Sequence, residues 1–458
     1  MDIKDLAVHY KTKDSSLKAF VDQSRGKINE LIANANNPVT PKELPWIDVR
    51  DFGAKGDGVA DDTAAIQAAT EALSANGGTL LMSSGTFLLS MLELPNDPKV
   101  INLRGMGVNA TILQMATAEG PLIRKVQTAG RIVGANFSNF TIRANAASDK
   151  TNPAHIAINL SGFNNSFLKR IGYQSYAADS GSVYAFIKAS AYPYLTYQNT
   201  FEGIQSESNF GPSRIIFFTN EGYGAGYNTN LNEIRDSWFY NNTGCDYLID
   251  SAGASRIAIR NTLLEGCAGA TGILLGHATL VENCWFEALA HSLEFQNSYA
   301  YPSSRCVISA NYFAVADEVI DMPAGCHNNR FVENTDGWTN ANPLVSKAGG
   351  PSFYHLADGA IQISLADDAS VQLEKLFDLG KSGIIRVTEI NFDSVAGEVW
   401  IRGGNNGVNI ISDPAVILSV TDVDGKLCFL PDGDGTYTMK NRLGAATSFA
   451  MSFMGKAT

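Results

Sequence analysis

Ile234-Arg-Asp-Ser-Trp-Phe239, Ile259-Arg-Asn-Thr-Leu-Leu264 and Val281-Glu-Asn-Cys-Trp-Phe286 are one six-residue phrase written three times. An apolar residue opens the phrase, a charged residue follows, Asp or Asn stands third, and an apolar or aromatic residue closes it. Further copies lie on both sides. Phe137-Ser-Asn-Phe-Thr-Ile142, Leu168-Lys-Arg-Ile-Gly-Tyr173 and Phe201-Glu-Gly-Ile-Gln-Ser206 come before, and Ile308-Ser-Ala-Asn-Tyr-Phe313 comes after. Their first residues are spaced by 31, 33, 33, 25, 22 and 27 positions. Self-similarity at such a period marks a solenoid. Period-2 alternation with turn residues between the copies favours stacked parallel strands over helical repeats. The shorter spacings are plain coils, and the longer ones carry insertions.

Register then assigns faces. The first and sixth positions are apolar apart from Ser206, and should point inward. The third holds Asn139, Arg170, Gly203, Asp236, Asn261, Asn283 and Ala310, a set suited to a bend with left-handed backbone angles. The second position (Ser138, Lys169, Glu202, Arg235, Arg260, Glu282, Ser309) should form an outward ladder of alternating charge. The fifth presents Trp238, Leu263, Trp285 and Tyr312 outward, and one residue past the phrase stand Glu207, Tyr240, Glu265 and Glu287. Exposed indole and phenol rings in a row need a partner, either a sugar or another subunit. Residues 173–227 hold eight of the sixteen tyrosines among many Gly, Ser and Asn, a composition of adaptable binding loops and equally of plain exposed loops.

Before the repeat, Trp46-Ile-Asp-Val-Arg-Asp-Phe-Gly-Ala-Lys-Gly-Asp-Gly-Val-Ala-Asp-Asp-Thr63 reads as a strand, a glycine-rich turn and a helix start. Asp61, Asp62 or Thr63 can cap a helix that ends at Asn76-Gly77-Gly78. This segment resembles the N-terminal lead-in of the pectate-lyase-like β-helix superfamily, as found in phage tailspikes. Ile101-Asn-Leu-Arg-Gly-Met-Gly-Val-Asn-Ala-Thr-Ile112 resembles that family's first full coil. The resemblance implies that the acidic turn and helix cover the open end of the β-helix, so Asp57, Asp61 and Asp62 are read as structural.

The expected architecture is mainly β: a right-handed parallel β-helix over 46–345, with its cap helix at 61–75. A short helical segment precedes it over 1–45, where Leu17, Val21, Ser24, Ile28 and Leu31 follow 4-3-4 spacing. A β-sandwich-like domain follows over 346–458, where short alternating strands such as Glu398-Val-Trp-Ile-Arg402 are separated by turns such as Pro431-Asp-Gly-Asp-Gly435. Tailspikes resembling this chain cover their helix ends by trimerising, which makes a homotrimer the expected assembly. The N-terminal segment would then attach to a phage tail or baseplate, placing the protein in the virion.

Composition narrows the partners. The 458 residues are 45% apolar with a net charge of −12, and no run of Lys or Arg occurs. That argues against nucleic acid and against an anionic membrane. No apolar stretch reaches the length of a membrane span, and the start lacks the apolar core of a secretory signal. Six cysteines without a CxxC pair read as buried thiols, and neither a metal nor a cofactor is expected.

Glycosidic hydrolysis needs two carboxyls, about 5–5.5 Å apart for retention or about 6.5–9.5 Å for inversion. Glu265 and Glu287 on adjacent coils fit the shorter range, and Glu207 or Asp236 with Glu265 a longer one. Trp238, Trp285, Tyr240, Tyr312, Arg235, Arg260 and Glu202 are the expected sugar-contacting residues. The chain is thus read as a phage tailspike that binds and depolymerises a bacterial capsular or surface polysaccharide, by hydrolysis. Two alternatives stay open: β-elimination of a uronic polymer, with Arg235, Arg260 and Tyr240 as cations and base, and a tail protein that grips a glycan without cutting it. Asn334-Thr-Asp-Gly337 matches the first acidic motif of the polygalacturonases, but their later elements have no counterpart after it.

Overall fold

The computed structural model describes residues 46–314 apart from 97–98, 127–129, 178–179, 191–194, 221–228 and 297–302. Beyond 314 it describes shorter pieces, and of residues 1–45 only 22, 26 and 27, so the expected N-terminal helix lies outside the described residues. Residues 1–45 and 46–458 are separate units.

The repeated phrase folds as a bent pair of short strands. In the rung of Glu233–Arg235 and Trp238–Tyr240, Asp236 sits between the strands with φ of 51°. All seven third-position residues have positive φ, from 49° at Asn261 to 64° at Gly203. Asn, Asp and Gly enter that region at low cost, which is why they recur there, whereas Arg170 and Ala310 occupy it under strain. Successive rungs pair in parallel without slipping: Ile234 faces Ile259, Ile259 faces Val281, and Val281 faces Ile308. The resulting twenty-stranded sheet is the bent face of the β-helix. A nine-stranded sheet, which includes Arg214–Thr219 and Thr271–Leu275, forms a second face, and a four-stranded ladder running to Thr229–Asn230 forms a third.

The interior is built from stacks of like residues. Phe201, Ile234, Ile259, Val281 and Ile308 are fully buried, as are Phe239, Leu264 and Phe286 from the sixth position. Across the interior, Ile187, Ile216, Ile249, Ile273 and Leu293 make a matching ladder on the second face. Ser206 also points inward, where its hydroxyl donates to Asn242 Oδ1 at 2.6 Å. Buried Asn199 closes a corner, its Nδ2 donating to Phe163 O at 2.8 Å and to Asn232 Oδ1 at 3.1 Å. Asn311 and Asn334 repeat the device further on, so Asn334 of the polygalacturonase-like motif is a corner residue. All six cysteines are buried free thiols.

The cap helix runs from Thr63 to Ser74 and buries Ile66, Ala69, Thr70 and Leu73. The acidic turn is structural, though not quite as expected. Asp61 caps the helix by accepting from Thr63 N at 2.9 Å. Asp62, in the N-cap position itself, turns away and clamps the glycine turn by accepting from Lys55 N (2.6 Å) and Gly56 N (3.1 Å). Gly56 has φ of 62°, and a Cβ there would lie 2.8 Å from the Phe87 ring, so only glycine fits. Among the described residues the last rung pairs Thr335 and Asp336 with Tyr312 and Phe313. From Phe353 onward the chain forms a six-stranded and a four-stranded sheet, the C-terminal sheet domain.

Candidate active site on the bent face

Before the bend, the outward residues form one continuous ion ladder. Lys169 Nζ lies 2.6 Å from Glu202, whose other oxygen is 2.8 Å from Arg235. Arg235 reaches Glu233 at 3.5 Å, and Arg260 bridges Glu233 (2.8 Å) and Glu282 (3.0 Å). Lys169 and Arg235 together hold the Glu202 carboxyl below its usual range, and Glu233 keeps Arg260 firmly charged. Glu233, one residue before the phrase, escaped sequence reading. Extending the repeat by that one position would have revealed it. Its consequence is direct: Arg235 and Arg260 are each shared between two glutamates, and neither is a free cation.

After the bend, Trp238, Leu263, Trp285 and Tyr312 line up rung by rung. The two indoles are 37% and 40% exposed, large apolar surface left open to solvent. Trp285 stacks on Tyr312 with ring centroids 4.0 Å apart, and Trp238 stacks on Tyr240 at 5.9 Å. The result is two flat platforms on either side of Leu263.

Beside these platforms run Glu207, Tyr240, Glu265 and Glu287, paired in that order. Glu265 and Glu287 face each other on neighbouring strands, ~4.8 Å apart at the backbone. Burial, then the Glu287 charge, push the Glu265 carboxyl above its usual range. Glu287 is served differently: Trp285 Nε1 donates to its Oε2 at 2.9 Å. The two facing glutamates therefore sit in different surroundings, Glu265 with its carboxyl raised and Glu287 bonded to an indole N–H. Glu207 is exposed and stands two rungs from Glu265, ~10 Å by strand spacing, with Tyr240 between them. Asp236 is not in this row. It belongs to the bend, where Asn261 Nδ2 donates to it at 3.1 Å and Asn283 Nδ2 donates to Asn261 at 2.9 Å.

The tyrosine-rich insertion divides. Tyr173 is a core residue whose hydroxyl lies 2.7 Å from Ser182 Oγ, with burial pushing its pKa far up. Tyr184 packs edge-on against Phe217 beneath Arg214. Tyr176 is exposed and Tyr197 half-buried, while Tyr192, Tyr194, Tyr223 and Tyr227 lie outside the described residues.

Residues 46–293 match the family described as rhamnogalacturonase A/epimerase, pectate lyase-like. The chain belongs to this family. The match covers the cap, every rung that carries a site residue up to Glu287, and the ion ladder. The mannuronan C5-epimerase AlgE1 of Azotobacter vinelandii is 44% identical over 73 residues, which are 15% of this chain and 5% of the epimerase. The chain thus spans a small part of that relative's length. Among solved structures, ORF18 of Geobacillus virus E2 aligns over 93% of this chain and 89% of its own at 16% identity, with a TM-score of 0.54, and so shares the fold. A tailspike protein of Acinetobacter baumannii phage AM24 aligns over 90% of this chain and 83% of its own, at 12% identity and a TM-score of 0.43.

Proposed function

We propose that this family member is a phage tailspike that binds a bacterial surface polysaccharide along the bent face and cleaves it by glycosidic hydrolysis. The observation that carries the reading is the Glu265–Glu287 pair beside the Trp285–Tyr312 platform. A sugar ring on the platform lies next to both carboxyls, one raised above its usual range and one bonded to the Trp285 indole. Glu265 then protonates the leaving oxygen, and Glu287 attacks the anomeric carbon or stabilises its positive charge. Adjacent strands suit the shorter, retaining separation. Glu207 is the candidate for a longer, inverting one, with Asp236 the weaker candidate because its carboxylate is engaged at the bend. The homotrimer, the virion location and attachment through residues 1–45 belong to the same proposal, carried by the resemblance of the lead-in to tailspikes.

The epimerase relative favours a second reading, proton abstraction from a sugar carbon, of which β-elimination is one outcome. Tyr240, next to Glu265 in the row, is its candidate base. Incubation with polysaccharide from the bacterial host separates the readings. New reducing ends without ultraviolet absorbance mean hydrolysis, both signals mean elimination, and binding with neither signal and no change in the sugar composition of the polymer means a non-cutting receptor protein.

A further inference from the structure

The first rungs of the bent face carry a feature that chemistry at Glu265 does not use. Arg104, Lys169 and Arg170 converge on a groove of about 330 Å³, with Asn102, Asn136 and Asn139 among its walls. That volume falls at the lower end of small-ligand sites, ~300–1,000 Å³. Arg104 pairs in register with Ser138, and Ser138 with Lys169, so the two cations share one outward row. Arg170 occupies the bend of the Lys169 rung, its Cγ 3.5 Å from where a Cβ of Gly203 would stand.

Charge separates this groove from the rest of the row. Further along, every arginine is matched by glutamates. In the groove, Arg104 and Arg170 have no ion pair and no side-chain hydrogen bond to any described residue, and Lys169 shares its single partner Glu202 with Arg235. A chain of net charge −12 therefore gathers uncompensated positive charge at one place on its side face. Guanidinium groups present paired donors that match the two oxygens of a carboxylate or the edge of a phosphate. Asn102 Oδ1 already accepts from Asn136 N at 2.8 Å, which leaves its NH2 free to donate into the groove.

We propose that this groove is an oxyanion subsite for a glycan, taking a carboxylate, sulfate or phosphate substituent of the polymer. It lies three rungs from the Glu265 rung at Lys169 and five at Arg104, ~14–24 Å by strand spacing, so it grips a unit distant from the bond that is cut. The inference rests on the polysaccharide reading, but not on the identity of the reaction.

The test is calorimetric titration of the full chain with four probes: a galacturonate tetrasaccharide, its methyl ester, a sulfated tetrasaccharide and inorganic phosphate. At least one charged oligosaccharide should bind, weaken with added salt, and bind about tenfold less tightly to Arg104→Gln or Arg170→Gln. Arg104→Lys, which keeps the charge and loses the fork, should fall between. Failure of both charged oligosaccharides to bind, measurable and equal binding of the galacturonate and its methyl ester, or full affinity in both glutamine variants, overturns the proposal. So does binding of phosphate alone, which marks a bare-anion site. Host polysaccharide cleaved equally well by wild type and both variants sinks the subsite and spares the reaction. Charge-dependent binding without cleavage does the reverse.

Discussion

Replacing Glu265 by Gln keeps the shape of a protonated carboxyl and removes its proton. In the structure burial and the neighbouring Glu287 charge raise the Glu265 carboxyl above its usual range, and both influences persist in the variant's surroundings. A positioned general acid contributes about 10²–10⁴-fold to rate. At about 1.36 kcal/mol per decade, Glu265→Gln should therefore raise the barrier by about 2.7–5.4 kcal/mol. Stability should move the other way. A carboxyl whose folded pKa is raised contributes fully below its unfolded pKa, and that contribution is lost as pH rises through the folded value. Wild type and variant should thus melt together in acid. Above the ordinary carboxylate range the variant should melt higher, because no second charge forms beside Glu287. Reducing-end release gives the rate, and thermal unfolding at pH 4 and pH 7.5 gives the stability. A variant with full kcat, or one whose melting temperature falls at neutral pH, refutes the assignment. Glu287→Gln must also lose activity, and recovery of turnover with azide, detected as a glycosyl azide, would identify Glu287 as the nucleophile.

Trp285→Phe keeps a ring over Tyr312 but deletes the N–H that serves Glu287, so KM for the polysaccharide should hold while kcat falls; a rise in KM alone would contradict the two roles. Arg214→Met leaves the buried Asp250 without its 2.8 Å partner, a loss of about 3–5 kcal/mol by urea denaturation that Asp250→Asn in the same chain should largely restore. Ala310→Gly, at φ of 53°, should stabilise the chain by about 1 kcal/mol in the same assay, since glycine carries no Cβ penalty at a left-handed bend. Light scattering of the full chain should give a trimer, and a monomer would remove that part of the tailspike reading.

The repeat was legible because a β-helix writes one rung per period, and each position in the period keeps one fate. Ile234, Phe239 and their counterparts are apolar where the chain turns inward, and Asp236, Asn261 and Asn283 stand where it must bend. The Glu265–Glu287 register followed from counting alone. Contacts running between rungs from unlike positions were harder to read. Glu233 binds Arg260 diagonally, so a comparison of equivalent positions shows the residue but not its pairing. The pairing of Arg214 with Asp250, whose sequence separation spans an insertion, is similarly hidden. The basic groove was missed for a related reason: Arg104, Lys169 and Arg170 come from two distant segments, and only stacking brings them together.

Matched and unmatched charge along one face also bears on the choice of chemistry. Elimination from a uronic sugar needs a cation on the carboxylate next to the carbon that loses its proton. Around Glu265 the available cations, Arg235 and Arg260, each already hold two glutamates, so recruiting either means breaking a charged network for every sugar bound. On the strands of this face, the described guanidiniums with neither an ion pair nor a side-chain hydrogen bond are Arg104 and Arg170, and they lie rungs away. A polymer held by an anionic substituent in the groove and by ring stacking at Trp285 would place its reacting bond where protons are available and spare positive charge is not. That division favours protonation of a leaving oxygen by Glu265 over stabilisation of a carbanion. It also predicts that salt should weaken polymer binding through the groove while leaving kcat at saturation unchanged.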